Sequence, residues 1–326
     1  MSALRQGFQG LTLASTQGGS TFIKVSNFCM GWGEWVTTQN RTYKIQEKLS
    51  AQVGYMLQHN HVVVLTGMAI DWTNWLQTRP GDDICPSFDA GRYEIIKFDG
   101  EPCAMIYDKY VLELMKAEVH AVFSQSDWQN KEATKAKLWW RRIMGANFKL
   151  RAPPRELTVR EVWVWAYHCT PDQWTNGTIN TMCISSNYRA TLAKRAMGMA
   201  LKKSHHSLAA GSMAIMIGNW NTRADAQQEQ LEQVMKEVAN DGLQVIGELL
   251  TGRGATGRDH AVLWYPRLGV TVSRDDSIDE AEVKKLFYDT FPVPIYEHAP
   301  VFVQAAVPAP SRDPTREETR PTTPRI

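Results

Sequence analysis

Acidic residues are missing from the start of this chain, where Glu34 is the first, and no apolar run approaches the ~18–20 residues that a membrane span requires. The sequence thus argues against a membrane partner, and its beginning has no hydrophobic signal core. Cysteine is scarce. The five present (Cys29, Cys85, Cys103, Cys169 and Cys183) form no Cys-x-x-Cys pair and are odd in number. This pattern disfavours a disulfide framework and fits reduced thiols inside a cell, in nucleus or cytoplasm. A Ser-, Thr- and Gln-rich leader without acids leaves an organelle open. A strong net charge is also lacking: 36 Lys and Arg stand against 34 Asp and Glu, so overall charge names no partner.

What is present describes a globular protein of 326 residues, 43% hydrophobic and 21% charged, long enough for a large core. Residues 1–20 read as a flexible leader, 21–307 as one domain, and 308–326 as a Pro-, Thr- and Arg-rich tail too polar to build a core. No internal repeat is visible. Short strands are expected at Phe22–Ser26, His61–Leu65, Tyr93–Lys97, Cys103–Tyr107, Glu161–Cys169 and Ser212–Ile217. Further strands are expected near 245–250, 260–264, 270–272 and 299–305. Helical spacing marks Tyr43–Gln58, Tyr110–Phe123, Ala133–Met144, Tyr188–Lys203, Ala226–Asn240 and Glu280–Tyr288.

Six segments carry possible chemistry. Gly218-Asn-Trp-Asn221 directly follows the apolar run Met213–Ile217. Tyr296-Glu-His-Ala-Pro-Val-Phe-Val303 opens the last strand. Phe22-Ile-Lys-Val-Ser-Asn27, Val62-Val-Val-Leu-Thr-Gly67, Val162-Trp-Val-Trp-Ala-Tyr-His168 and Gly257-Arg-Asp-His-Ala-Val262 complete the set. Their order and spacing resemble the signatures of the endonuclease/exonuclease/phosphatase superfamily, the DNase-I-like phosphodiesterases. That resemblance implies an α/β protein of α+β type, a four-layer sandwich of two mostly antiparallel sheets flanked by helices. It also implies a divalent cofactor, Mg or Mn, and a nucleic acid or other phosphoester substrate. Asn27, Asn221 and His168 match phosphate-binding positions, Asn219 and Glu297 replace two aspartates of the pattern, and His298 matches the general base. The Asp of the Gly257–Val262 segment, Asp259, is structural or orients the base in that family.

The departures from the pattern bear on catalysis. Gly67 stands where the resemblance calls for a metal-binding Glu. Asn219 keeps a carbonyl oxygen but loses the charge that attracts Mg²⁺ and accepts a proton from water. Glu297 can still orient His298, with a methylene more than aspartate. Asp71, Asp259 or Glu94 could supply a replacement carboxylate; the blander readings are a cap at Asp71 and an exposed hairpin residue at Glu94.

Regional charge adds a further signal. Residues 131–160 hold nine Lys and Arg against only Glu132 and Glu156, interleaved with Trp139, Trp140 and Phe148. Lys135, Arg141, Arg142, Lys149 and Arg151 are therefore candidate nucleic-acid contacts, and the alternative is a solvated helix face. His168-Cys169 is not a nucleophile dyad, because neighbours on a strand point to opposite faces. Three functional readings follow: a metal-dependent phosphodiesterase or nuclease with impaired or lost catalysis, a nucleic-acid-binding pseudo-enzyme, and a protein-interaction scaffold.

Overall fold

The computed structural model describes residues 20–29, 42–67, 89–98, 101, 103–122, 142–155, 157–169, 186–251, 259–266, 269–275, 277–288 and 300–307. In chain order the elements are β1 (Ser20–Cys29), α1 (Thr42–His59), β2 (Val62–Thr66), β3 (Tyr93–Lys97), β4 (Ala104–Asp108), β5 (Leu112–Ala121), β6 (Arg142–Leu150) and β7 (Glu161–His168). There follow α2 (Ser186–Ala209), β8 (Met213–Asn219), α3 (Ala224–Asn240), β9 (Ile246–Thr251), β10 (Asp259–Tyr265) and β11 (Thr271–Arg274). The last are α4 (Glu280–Val283), which runs on into a π-helical turn at Lys284–Tyr288, and β12 (Val301–Val307).

The strands form two six-stranded sheets, ordered β11-β12-β1-β2-β4-β3 and β5-β6-β7-β8-β10-β9. Each has one parallel pair, β1 with β2 and β7 with β8, and is otherwise antiparallel. A parallel pair needs a long crossover, and α1 and α2 supply it. Alternation along each strand then sorts the core into three apolar layers. Val25, Val64, Met105, Phe148, Val164, Ile215 and Val303 fill the space between the sheets. Val53, Met56 and Leu57 of α1, with Phe287, cover the outer face of the first sheet. Leu192, Met197 and Leu201 of α2, with Leu231 and Val234 of α3, cover Trp165, Trp220 and Trp264 on the second. Full burial of one tryptophan removes roughly 200 Å² from water, worth about 5 kcal/mol as an upper bound.

Two expected helices are corrected. Residues 110–123 contain β5, and the described part of 133–144, from Arg142 on, is the start of β6; residues 133–141 lie outside the described residues. The register of β5 on β6 shifts between Leu114 and Lys116. Its core-facing residues are therefore Leu112, Leu114, Ala117 and Val119. A bulge inserts one residue and breaks the two-residue period, and the resulting spacing imitates a helix. The last strand begins at Val301, after Pro300, which has no N–H to give to a ladder. Its far end pairs with the beginning of β1, Ser20 opposite Val307.

Candidate functional site

Both parallel pairs deliver their C-terminal ends to the same rim of the sandwich, and there the candidate residues meet. His168 ends β7, Asn219 ends β8 beside it, and Asp259 begins β10 opposite Asn219. From the other sheet come Asn27 and Cys29 on β1, with Thr66 and Gly67 at the end of β2. Two hydrogen bonds cross between the sheets. Asn27 Nδ2 donates to Asp259 Oδ1 at 2.7 Å, and Asn219 Nδ2 donates to Cys29 Sγ at 3.1 Å. Thr66 Oγ1 donates to Asn27 Oδ1 at 3.3 Å. Asn27, Asn219 and Asp259 are all buried.

Local sequence makes this rim possible. A Cβ at Gly218 would stand 1.9 Å from the Tyr167 carbonyl oxygen, so only glycine lets β8 lie so close to β7. The chain then turns through Asn221, whose φ of +51° is left-handed, a conformation that asparagine tolerates better than most residues. The turn is held by side chains. The Asn221 N–H donates to Asn219 Oδ1 at 3.1 Å, and Asn221 Nδ2 donates to the Cys169 carbonyl at 2.7 Å. These partners also fix which end of each amide is oxygen.

Electrostatically the rim offers acceptors. Asp259 is a buried carboxylate, and Glu101, also buried, lies in the β3–β4 connection at this end of the first sheet. The Cys103 thiol is pushed well up by burial, then by Glu101 and Cys29, and stays protonated. Burial lowers the His260 pKa, against an opposing hydrogen bond to Thr222, and keeps the ring neutral.

Asn27, Gly67, His168, Asn219 and Asn221 thus stand at one rim. The β6 backbone at Arg142 begins at the same end, opposite Ala121. Lys149 and Arg151 do not join them: Lys149 pairs with Glu161 at the start of β7, the far end of the sheet. There the Arg151 Nε donates to the Lys109 carbonyl at 2.7 Å. Glu94 is also at the far end, exposed, and accepts from the Tyr107 hydroxyl at 2.7 Å. Asp71, Lys135, Arg141, Glu297 and His298 lie outside the described residues; Val301, three positions after His298, pairs with Asn27. Sequence reasoning missed Cys29, Thr66, Thr222, Gln227 and His260. Three of them left a signal: Cys29 is two residues after Asn27 and so on the same strand face, and Thr66 and His260 lie inside the Val62–Gly67 and Gly257–Val262 segments.

A divalent cation does not fit the described donors. Asn219 offers only a neutral oxygen that already accepts from the Asn221 N–H, and position 67 has no side chain. Among the described residues, no three His, Cys, Asp or Glu come together as a metal site.

Neither a family model nor a curated protein sequence matches the chain. Solved structures do. The catalytic domain of human Nocturnin, with bound sulfate, is 10% identical at a TM-score of 0.52, covering 88% of this chain and 94% of that one. ANGEL2, a 2′,3′-cyclic phosphatase, in complex with adenosine-2′,3′-vanadate, is 11% identical at 0.51, covering 87% and 95%. The chain has the endonuclease/exonuclease/phosphatase fold. At such identity the fold is what is shared, and the DNase-I-like sandwich reaches across nearly all of each partner.

Proposed function

We propose that this chain is a divergent member of the endonuclease/exonuclease/phosphatase superfamily, of the phosphodiesterase or nuclease type, in which hydrolysis is impaired or lost. One observation carries the reading: the locked carboxamide of Asn219. In-line attack by water on a phosphoester needs a group to take the proton and positive charge to meet the oxygens. Asn219 has no basic oxygen, and both ends of its side chain are engaged inside the protein, on Cys29 and on Asn221. Gly67 compounds the loss, since its φ of +65° turns the backbone as well as removing the side chain.

The remaining role is retention of a phosphorylated ligand, with nucleic acid favoured by the five Lys and Arg of residues 131–142, the part of the basic segment that leads into β6 at the rim, and not by Lys149 or Arg151 at the far end. Asn27, His168 and Asn221 are its contacts from the described residues. Glu297 and His298 are assigned as orienting carboxylate and base, on the resemblance of their segment. The ligands on structures of this fold, a sulfate anion on Nocturnin and adenosine-2′,3′-vanadate on ANGEL2, support a phosphate-like ligand. If catalysis survives, Mg or Mn is the cofactor and Asp71 the substitute carboxylate.

Plasmid nicking over a titration of Mg²⁺ and Mn²⁺, with His298→Ala as control, tests this reading. Absent or trace nicking with salt-sensitive retention of DNA or RNA is the expected result. Metal-dependent nicking that disappears in His298→Ala would overturn the loss of catalysis. Neither cleavage nor retention would favour the scaffold.

A further inference from the structure

We propose that His260, assisted by Gln227, is a positioning residue for this site, one that acts from the opposite face of the sheet by holding the turn that carries Asn221. The inference rests on the reading of Asn221 as a ligand contact. Successive residues of β10 serve different faces: Asp259 accepts from Asn27 between the sheets, whereas His260 points outward towards the beginning of α3. His260 Nε2 lies 2.8 Å from the Thr222 carbonyl oxygen. A carbonyl only accepts, so Nε2 carries the proton and donates, and Nδ1 is the bare nitrogen. Gln227 Nε2 donates to Thr222 Oγ1, so the residue after Asn221 is held through both its backbone and its side chain. The Trp220 ring, on the other side of Asn221, packs edge-on against His260 at 5.6 Å and Tyr167 at 6.0 Å. His260, Gln227 and Trp220 are fully buried.

The reason for so much restraint is the backbone of Asn221. Among the described residues it is the one non-glycine with positive φ. Such a conformation persists where surrounding contacts over-determine it, and it favours sites where a side chain must be aimed. Here β7, β8, β10 and α3 each contribute at least one contact to residues 219–222. Asn221 Nδ2 is thereby set on the Cys169 carbonyl through one of its two hydrogens, leaving the other as the donor for a phosphate, and Oδ1 has no hydrogen-bond partner among the described residues. Without the His260 donor the Thr222 carbonyl loses its buried partner, and Asn221 can relax to the ordinary right-handed region.

The test compares His260→Leu with His260→Gln, whose amide can still donate to Thr222, and uses Gln227→Met as an independent second variant. Two readouts are taken on the full chain: hydrogen exchange of the Asn221 backbone N–H by NMR, and affinity for a fluorescent single-stranded oligonucleotide. In His260→Leu the Asn221 N–H is expected to exchange at least tenfold faster while core strands β7 and β8 keep their protection, with oligonucleotide affinity down about tenfold. His260→Gln should restore most of both, and Gln227→Met should show a smaller effect of the same kind. Unchanged Asn221 exchange in His260→Leu and Gln227→Met, or exchange raised uniformly through β7 and β8, would overturn the positioning role. A wild-type chain that does not bind the oligonucleotide sinks the proposed function instead, and Asn221 exchange still decides the role of His260.

Discussion

At the scale of single residues, positions 67 and 219 are each fixed by the geometry around them. Gly67 adopts φ +65°, so alanine there should cost about 1 kcal/mol, measurable by urea unfolding. Glutamate at 67 should be no better tolerated, since the strain belongs to the backbone. Asn219→Asp would put a second buried carboxylate directly across from Asp259 on the same strand face. Burial and that neighbour raise the new carboxyl above the ordinary aspartate range. A raised folded-state value means the folded protein holds the proton more tightly. The penalty is therefore absent below the unfolded-state value of about 3.9 and grows as pH rises beyond it. Unfolding at pH 4 and pH 7 should show the variant near wild type at the first and about 2–3 kcal/mol weaker at the second. These positions were legible as Gly and Asn in the sequence motifs. Their hydrogen-bond partners were not, because Cys29 and Asn219 are 190 residues apart and meet only across two sheets.

Elements were legible where one period ran unbroken. β7 and β8 are apolar between their polar ends because both faces are covered, and α3 has a plain apolar stripe. β5 was misread because its bulge changes phase halfway. At the junction of α1 and β2 the sequence marks His61 as the start of a strand and His59-x-His61 as a poor zinc pair, and neither reading contains the tie from His61 to β1. Its Nδ1 accepts from the Lys24 N–H at 3.2 Å, and its own N–H donates to the Lys24 carbonyl at 2.9 Å. Burial drives the His61 pKa down to about 4, against the partial offset of Asp108. A histidine so depressed stabilises the fold fully above its unfolded value of about 6.5, and that stability is lost as pH falls towards 4. His61→Gln keeps an acceptor without titrating. Its unfolding free energy should fall less than wild type over that window, the difference approaching about 3 kcal/mol.

For the whole molecule, the sequence shows no repeat, and the topology does. Position by position the two sheet orders correspond, β12, β1, β2, β4 and β3 against β6, β7, β8, β10 and β9, with a parallel helix-linked pair in the same place. Even a tyrosine–glutamate pair recurs, Tyr107 with Glu94 and Tyr265 with Glu248, one residue beyond the Val63–Ile106 and Ala214–Trp264 pairings. Packing constrains which face is apolar and says little about which apolar residue fills it, so two halves can share a frame with no visible sequence likeness.

The second half is continuous, β5 to β10, whereas the first is cut, with its leading antiparallel pair β11–β12 at the other end of the chain. Ser20 pairs with Val307, so the two cut edges already lie side by side. Topologically the domain is a closed loop that has been opened at one of two equivalent seams. Joining Val307 to Ser20 through a short glycine-rich linker, and opening the chain between Pro266 and Gly269 instead, would turn it into two uninterrupted halves in tandem. Such a permutant should unfold cooperatively with the wild-type circular dichroism spectrum, at a cost of about 1–2 kcal/mol in loop-closure entropy. An aggregated or molten product would mean that the present seam is a requirement of folding.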